Sequence, residues 1–313
     1  MKRILSIVLV VMLFVMVGCG SEPQVKEQKL SKLTIGLMPD TDSIPFIIAA
    51  EYGYFAEEGL EIELIPFKSA MERDAALQSG SLDGAVSDLL AVIFARSGGF
   101  SVYATSYTDG SYNLVAGGNT DIASAADLRG KEIAISRNTI IEYVTDEILA
   151  VNGVGEKDVS KVVIPQIPVR LEMLQSGNLA AVVLPEPMAS VAEFSGSRYV
   201  TGSGDLGINP GVIVFTDSAI KDKEQSIRAM YRAYDKAANY LNNTPRADYI
   251  DLIMERSGFP GPARDALVLK PYRFAGLPAE KDVDEAVRWV KNKGLAGDYR
   301  YDELVSKLLT EGK

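Results

Sequence analysis

Four consecutive side chains, Asp40, Thr41, Asp42 and Ser43, offer carboxylate and hydroxyl oxygens just ahead of an apolar run that opens at Ile44. Such residues cap helix N-termini by accepting from free backbone N–H groups, but one helix start uses one or two of them, not four. A second polar run, Ser136-Arg137-Asn138-Thr139, precedes Ile140. Free amides at a helix start attract anions and Arg137 adds a fork of donors; the alternative is a solvated arginine at a strand end. Lys68-Ser69, Ser87-Asp88 and Glu186, the last set between Pro185 and Pro187, complete the polar candidates. Ser87-Asp88 reads equally as a ligand contact and as a cap for the next helix. Glu186 is either a rigidly held acceptor or part of a turn. Tyr107, Tyr112 and Tyr272 are candidates to stack on a flat solute, or pack the core. The chemistry these groups offer is recognition by charge and hydrogen bonds. Asp40, Asp42, Asp88 and Glu186 outnumber Arg137 and Lys68, which favours a solute with N–H donors or positive charge over a simple oxyanion.

The chain has no histidine and one cysteine, Cys19. This excludes Cys/His zinc sites and Ser-His-Asp or Cys-His catalysis. No metal and no cofactor are expected. Lys and Arg number 32 against 42 Asp and Glu, an acid excess that disfavours nucleic acid as a partner. A hydrophobic content of 47% supports a sizeable core.

The candidate residues fall into two similar halves. Leu77 to Ala91 (LQSGSLDGAVSDLLA) matches Leu174 to Met188 (LQSGNLAAVVLPEPM), offset by 97 residues. Ile65-Pro66 corresponds to Ile164-Pro165, Arg73 to Arg170, and Lys32–Met38 to Lys131–Arg137. Each half alternates short apolar runs of strand length with helical periodicity. Strands are expected at Leu33–Met38, Glu61–Phe67 and Gly84–Ser87, and again at Glu132–Ser136, Val162–Pro165 and Ala180–Leu184. Helices are expected at Ile44–Phe55, Glu72–Gln78, Leu89–Arg96, Thr139–Val151 and Val169–Gln175. This pattern predicts an α/β fold of two lobes, each a mainly parallel sheet flanked by helices. Val102–Gly118, broken at Asp109-Gly110, and Gly211–Asp217 read as two crossovers. The apolar stripes Ile227, Met230, Tyr231, Tyr234, Ala238, Leu241 and Val283, Ala286, Val287, Val290 read as core, and the last third is expected to complete the first lobe. The expected boundaries are residues 31–112 with 216–313 for lobe I and 113–215 for lobe II.

The N-terminus carries Lys2-Arg3 and an apolar run from Ile4 to Val17, too short to span a bilayer and of signal-peptide length. Met16-Val17-Gly18-Cys19 resembles a bacterial lipobox, with Met16 where leucine is usual. Residues 1–18 are thus expected as a signal peptide, Cys19 as the lipidated first residue and residues 19–30 as a tether. The expected location is exported and lipid-anchored to the outer face of the cytoplasmic membrane, on the periplasmic or extracellular side.

Ala49 to Phe67 (AAEYGYFAEEGLEIELIPF), Leu77 to Asp88, Asp127 to Ser136 (DLRGKEIAIS) and Leu184 to Ser190 (LPEPMAS) resemble the solute-binding proteins of bacterial ABC importers. The resemblance is to the nitrate/sulfonate/taurine group and its thiamine-precursor-binding relatives, and runs from Leu33 to about Thr216. It implies the type II periplasmic-binding-protein fold, a ligand cleft between lobes, hinge closure, and a monomer that delivers a small molecule to a permease and its ATPase. It implies no enzymatic activity. The preferred ligand is a nitrogen-containing ring of thiamine-precursor type; the alternative is a sulfonate, taurine or nitrate. An enzyme on the same fold, a dehydratase or a pyrimidine synthase, conflicts with the export signal, and the synthase consumes a histidine this chain lacks. Ligands of open α/β sheets lie beyond the carboxyl ends of the strands, which is where the candidate loops fall.

Overall fold

The computed structural model describes residues 30–309. The leader, Cys19 and the tether before residue 30 lie outside the described residues. Among the described residues, ten strands form two five-stranded sheets. The first comprises β1 (Leu33–Leu37), β2 (Ile62–Pro66), β3 (Gly84–Asp88), β4 (Val102–Tyr107) and β10 (Gly211–Thr216), in the order β2-β1-β3-β10-β4. The second comprises β5 (Tyr112–Ala116), β6 (Glu132–Ile135), β7 (Ser160–Val163), β8 (Ala181–Pro185) and β9 (Arg198–Gly202), in the order β7-β6-β8-β5-β9.

The two orders are the same topology written twice. In each sheet three strands run parallel and the fourth is antiparallel to both neighbours. The internal match reappears in the register: Ile35 pairs with Gly84 in the first sheet and Ile133 with Ala181 in the second. β3 and β8 are buried throughout, as expected for strands covered on both faces. The edge strands β2 and β7 are half-exposed and carry charges such as Glu63 and Lys161, which blunts an open sheet edge.

The antiparallel strand of each sheet is the one delivered by a crossing of the chain. β4 passes through residues 108–111 into β5, and β9 passes through residues 203–210 into β10. The expected boundaries shift accordingly. Tyr112, expected in lobe I, opens β5 of the second sheet. Gly211–Phe215, expected in lobe II, pairs with β3 and β4 of the first, because this apolar run is wholly buried as a central strand. Gly84 permits that pairing: a Cβ there would lie 2.5 Å from the Val214 carbonyl oxygen. β9 has no counterpart among the expected strands; its Arg-Tyr-Val-Thr-Gly sequence lacks an apolar run.

The helix expected over Ile44–Phe55 is two helices, Ile44–Glu51 and Tyr54–Glu57, because Gly53 takes a left-handed φ of 76° between them. The last third of the chain covers the first sheet. Glu224–Asn243 packs on Ile44–Glu51, with the Phe46 and Tyr234 rings 5.5 Å apart, and Glu280–Asn292 packs on Leu89–Ser97. Among the described residues no helix is long and apolar enough to cross a membrane.

Candidate functional site

The carboxyl ends of the two sheets face each other across a narrow cavity of about 30 Å³, room for little more than a water molecule with the lobes in contact. The lobes touch over it. Thr41 N–H donates to the Glu186 carbonyl at 2.9 Å, and Ile167 N–H to the Lys68 carbonyl at 3.1 Å. The first lobe contributes Met38, Asp40, Arg73, Ser87 and Asp88; the second contributes Tyr112, Ser136, Thr139 and Arg170, with apolar walls from Ile140, Ile167 and Pro185.

Asp40, Ser87, Asp88, Tyr112, Ser136 and Thr139 are thus brought together. Asp40 is buried, and its contact within the loop is a long 3.4 Å hydrogen bond from Ser43 Oγ. Burial and the neighbouring Asp42 charge hold its carboxyl well above the usual range, with Arg73 opposing. Asp88 caps the Leu89–Ser97 helix by accepting from Ala91 N–H at 2.9 Å, and its other oxygen lies 3.6 Å from Arg73 Nη2. The ligand and cap readings of Asp88 are therefore compatible. Burial raises its pKa against the pull of Arg73. Ser87 Oγ is buried with no hydrogen-bond partner among the described residues. Thr139 caps the Ile140–Val151 helix through Ile141 N–H.

The other candidates lie elsewhere. Asp42 turns to the first crossing, where it accepts from Tyr112 Oη at 3.2 Å; burial pushes its pKa to about 6. Thr41 uses its carbonyl to accept from Tyr272 Oη, and Ser43 accepts from Met38 N–H. Ser69 is the N-cap of the Ala70–Gln78 helix, accepting from Glu72 N–H. Lys68, Arg137 and Asn138 are exposed. Tyr107 donates to the Phe274 carbonyl and lies under the Arg273 guanidinium, 3.7 Å from its ring centroid. Glu186 accepts from Asn113 Nδ2 at 2.8 Å and Ser190 Oγ at 2.7 Å, and with Thr41 and Tyr272 lines a second pocket between the lobes, of about 300 Å³.

Sequence reasoning passed over Arg73 and Arg170 as site residues, although the internal match had paired them. Each is the fourth residue of a helix that follows the edge strand, in helices starting at Ala70 and Ile167. Both line the cavity and both are buried, to 2% and 0% exposure. Their surroundings differ. Arg73 is paired with Asp74 at 2.8 Å and faces Asp88. Arg170 donates through Nη1 to the Ile164 and Pro165 carbonyls at 2.8 and 3.0 Å, while its Nε and Nη2 are without a partner among the described residues. Burial alone pushes its pKa down to about 9. At the 97-residue offset, Asp74 and Asp88 correspond to Leu171 and Pro185. The second half has the arginine without those carboxylates.

Several known proteins are similar to this chain. The NMT1/THI5-like family profile matches residues 40–248. The chain is 24% identical over 260 residues, 78% of its length and 75% of the relative's, to a protein of Brachyspira hyodysenteriae described as an ABC transporter periplasmic binding protein. Among solved structures, it is similar to the alkanesulfonate-binding protein SsuA of Xanthomonas axonopodis pv. citri bound to MOPS (TM-score 0.75, 17% identity, 87% of this chain and 96% of that one). It is also similar to the nitrate-binding protein NrtA of Synechocystis PCC 6803 (TM-score 0.74, 15% identity, 85% and 82%). The two-sheet architecture is that of the periplasmic binding proteins, and with two-thirds of its length matched, the chain belongs to the NMT1/THI5-like family.

Proposed function

We propose that this chain is the solute-binding component of an ABC importer, capturing a small anionic solute between its lobes and releasing it to a membrane permease. The anion assignment rests on one observation: Arg170 lines the cavity, is wholly buried, and has two nitrogens without partners among the described residues. A buried charge without a counter-ion is unfavourable by several kcal/mol, and an unmade buried hydrogen bond by about 1–3 kcal/mol. A sulfonate, carboxylate or phosphate group on the solute supplies both. The N-terminus of the Ile140–Val151 helix beside Ser136 and Thr139 adds to the same positive field.

Asp40, Asp88 and Ser87 line the first-lobe side and suit N–H or O–H donors at the solute's other end. This reverses the order of the two ligand readings drawn from sequence. Asp42 and Glu186, counted there as site acids, point elsewhere, while two arginines join. The thiamine-precursor reading survives only for a derivative that carries an anionic group.

The chain is read as exported, in keeping with its relative from Brachyspira hyodysenteriae, and as held at the membrane by lipid on Cys19. An enzymatic reading has less support: the relative from Brachyspira hyodysenteriae is described as a periplasmic binding protein, and the cavity lining includes no histidine or cysteine. Calorimetric titration of short sulfonates, carboxylates and phosphates tests the proposal. Saturable binding that vanishes in Arg170→Gln is expected.

A further inference from the structure

A second set of charged groups joins the lobes away from the cavity. Lys293 follows the Glu280–Asn292 helix, which packs on the first lobe. Its Nζ lies 3.0 Å from Glu142, 2.8 Å from Asp146 and 2.7 Å from Glu156, all in the second lobe. Trp289, one helical turn earlier, donates from Nε1 to Asp146 at 3.1 Å, and its ring meets the Tyr143 ring edge-on at 5.7 Å. Lys161, from β7, contacts the same three carboxylates. The cluster therefore reads as an ion-pair network completed by the first lobe. Both ammonium groups occupy the space a metal ion would need.

Glu142 connects this network to the cavity. One carboxylate oxygen accepts from Lys293 and Lys161; the other accepts from Asn138 N–H at 2.7 Å. Asn138 sits between Ser136 and Thr139, both of which line the cavity, and takes a left-handed φ of 57°. Asparagine is among the few residues that tolerate this conformation, and the bond to Glu142 fixes it. Burial works against charge on Glu142, yet the Asn138 amide and Lys293 outweigh it and hold the pKa below the ordinary range. Burial likewise opposes the charge on Lys293, and its three carboxylate partners prevail.

We infer that Glu142 is a positioning residue for the ligand loop 136–139, and that Lys293 and Trp289 form a latch that sets it when the lobes meet. The latch couples lobe contact to the shape of one cavity wall through a single carboxylate. Removing Lys293 leaves three carboxylates around Lys161, so Glu142 is repelled from the network and its hold on Asn138 weakens. This holds whatever solute the cavity takes.

The test needs no ligand. Hydrogen exchange read by mass spectrometry on the full-length protein follows peptides covering residues 136–143, while acrylamide quenching of Trp289, the single tryptophan, reports the lobe contact. Lys293→Met is expected to speed exchange in this peptide by about tenfold and to expose Trp289, with exchange elsewhere in the second lobe unchanged. Lys293→Arg should restore both readouts. Lys291→Met, which removes an exposed pair with Asp298, should alter neither. Glu142→Gln, which keeps an acceptor but loses the charge, should free the loop partly. Unchanged exchange at 136–143 with Trp289 exposed would overturn the coupling. Uniformly faster exchange across the second lobe would reduce the latch to ordinary stability and also overturn it.

Discussion

Arg73 and Arg170 stand at the same step of the two half-repeats, line one cavity from opposite lobes, and differ in that Arg73 alone has carboxylates beside it. The asymmetry suits a binding site. The first lobe carries its charge pair intact and holds its shape without help. The second presents a buried charge with no counter-ion among the described residues, which under the proposed reading an entering anion supplies.

The two arginines should therefore respond oppositely to the same substitution. Arg73→Met strands the buried Asp88 carboxylate, takes the partner from half-buried Asp74, and is expected to lower unfolding free energy by about 3 kcal/mol. Arg170→Met removes an uncompensated charge, and its stability without ligand should be unchanged or raised, offset by about 1 kcal/mol for the lost carbonyl contacts. Urea unfolding of both variants makes the comparison.

Asp42 gives a pH signature at the crossing between lobes. Its carboxyl is raised to about 6 by burial, against the nearby Thr108 hydroxyl, the Tyr112 hydroxyl that donates to it, and the Gly110 amide, with Asp109 adding repulsion. Asp40, Tyr234 and Tyr272 also face it. A carboxyl raised above its unfolded value of about 3.9 contributes stability that is fully present below that value and lost as pH rises through 6. Melting temperature should thus fall between pH 5 and 7 more steeply in wild type than in Asp42→Asn, and parallel curves would remove Asp42 as the cause.

Gly84→Ala probes the seam between β3 and β10. The new methyl would lie 2.5 Å from the Val214 carbonyl oxygen and 2.7 Å from the Phe215 ring. A loss of about 1–3 kcal/mol is expected, measured by chemical denaturation.

Cys19→Ser should abolish incorporation of labelled palmitate and move the protein from the membrane to the soluble fraction, since acyl chains contribute about 0.8 kcal/mol per buried methylene. Equal partitioning of the two forms would exclude the anchor.

Much of the fold was legible because its signals are local and repeated. The apolar runs at Leu33, Gly84, Glu132 and Ala181 have strand length, and glycines such as Gly80 and Gly177 end the intervening helices. The place of β10 was not legible: an apolar strand carries no mark of the sheet it will join. Rules based on loop position named Asp40, Ser87, Asp88, Ser136 and Thr139, which lie at or just beyond strand ends and line the cavity. They failed for Arg73 and Arg170, which stand inside helices and reach the cavity only because the first turn of each helix faces it. Which carboxylates reach the cavity was not legible for the same reason. Asp42 and Glu186 are committed to the crossing and to Asn113 and Ser190, and charge counted along a loop does not show which way each carboxylate turns. The correspondence of Arg73 with Arg170 was the available signal, and the lack of counterparts to Asp74 and Asp88 at Leu171 and Pro185 gave it meaning.

The most direct test of an anion site at Arg170 is a thermal-shift panel of sulfonates, carboxylates, phosphates, nitrate, amines and neutral pyrimidines, run on wild type, Arg170→Gln and Arg137→Gln. Binding raises the melting temperature with the logarithm of ligand concentration over Kd. The account predicts shifts confined to compounds with an anionic group, absent in Arg170→Gln and retained in Arg137→Gln. A largest shift from a neutral or cationic compound, undiminished in Arg170→Gln, would contradict it.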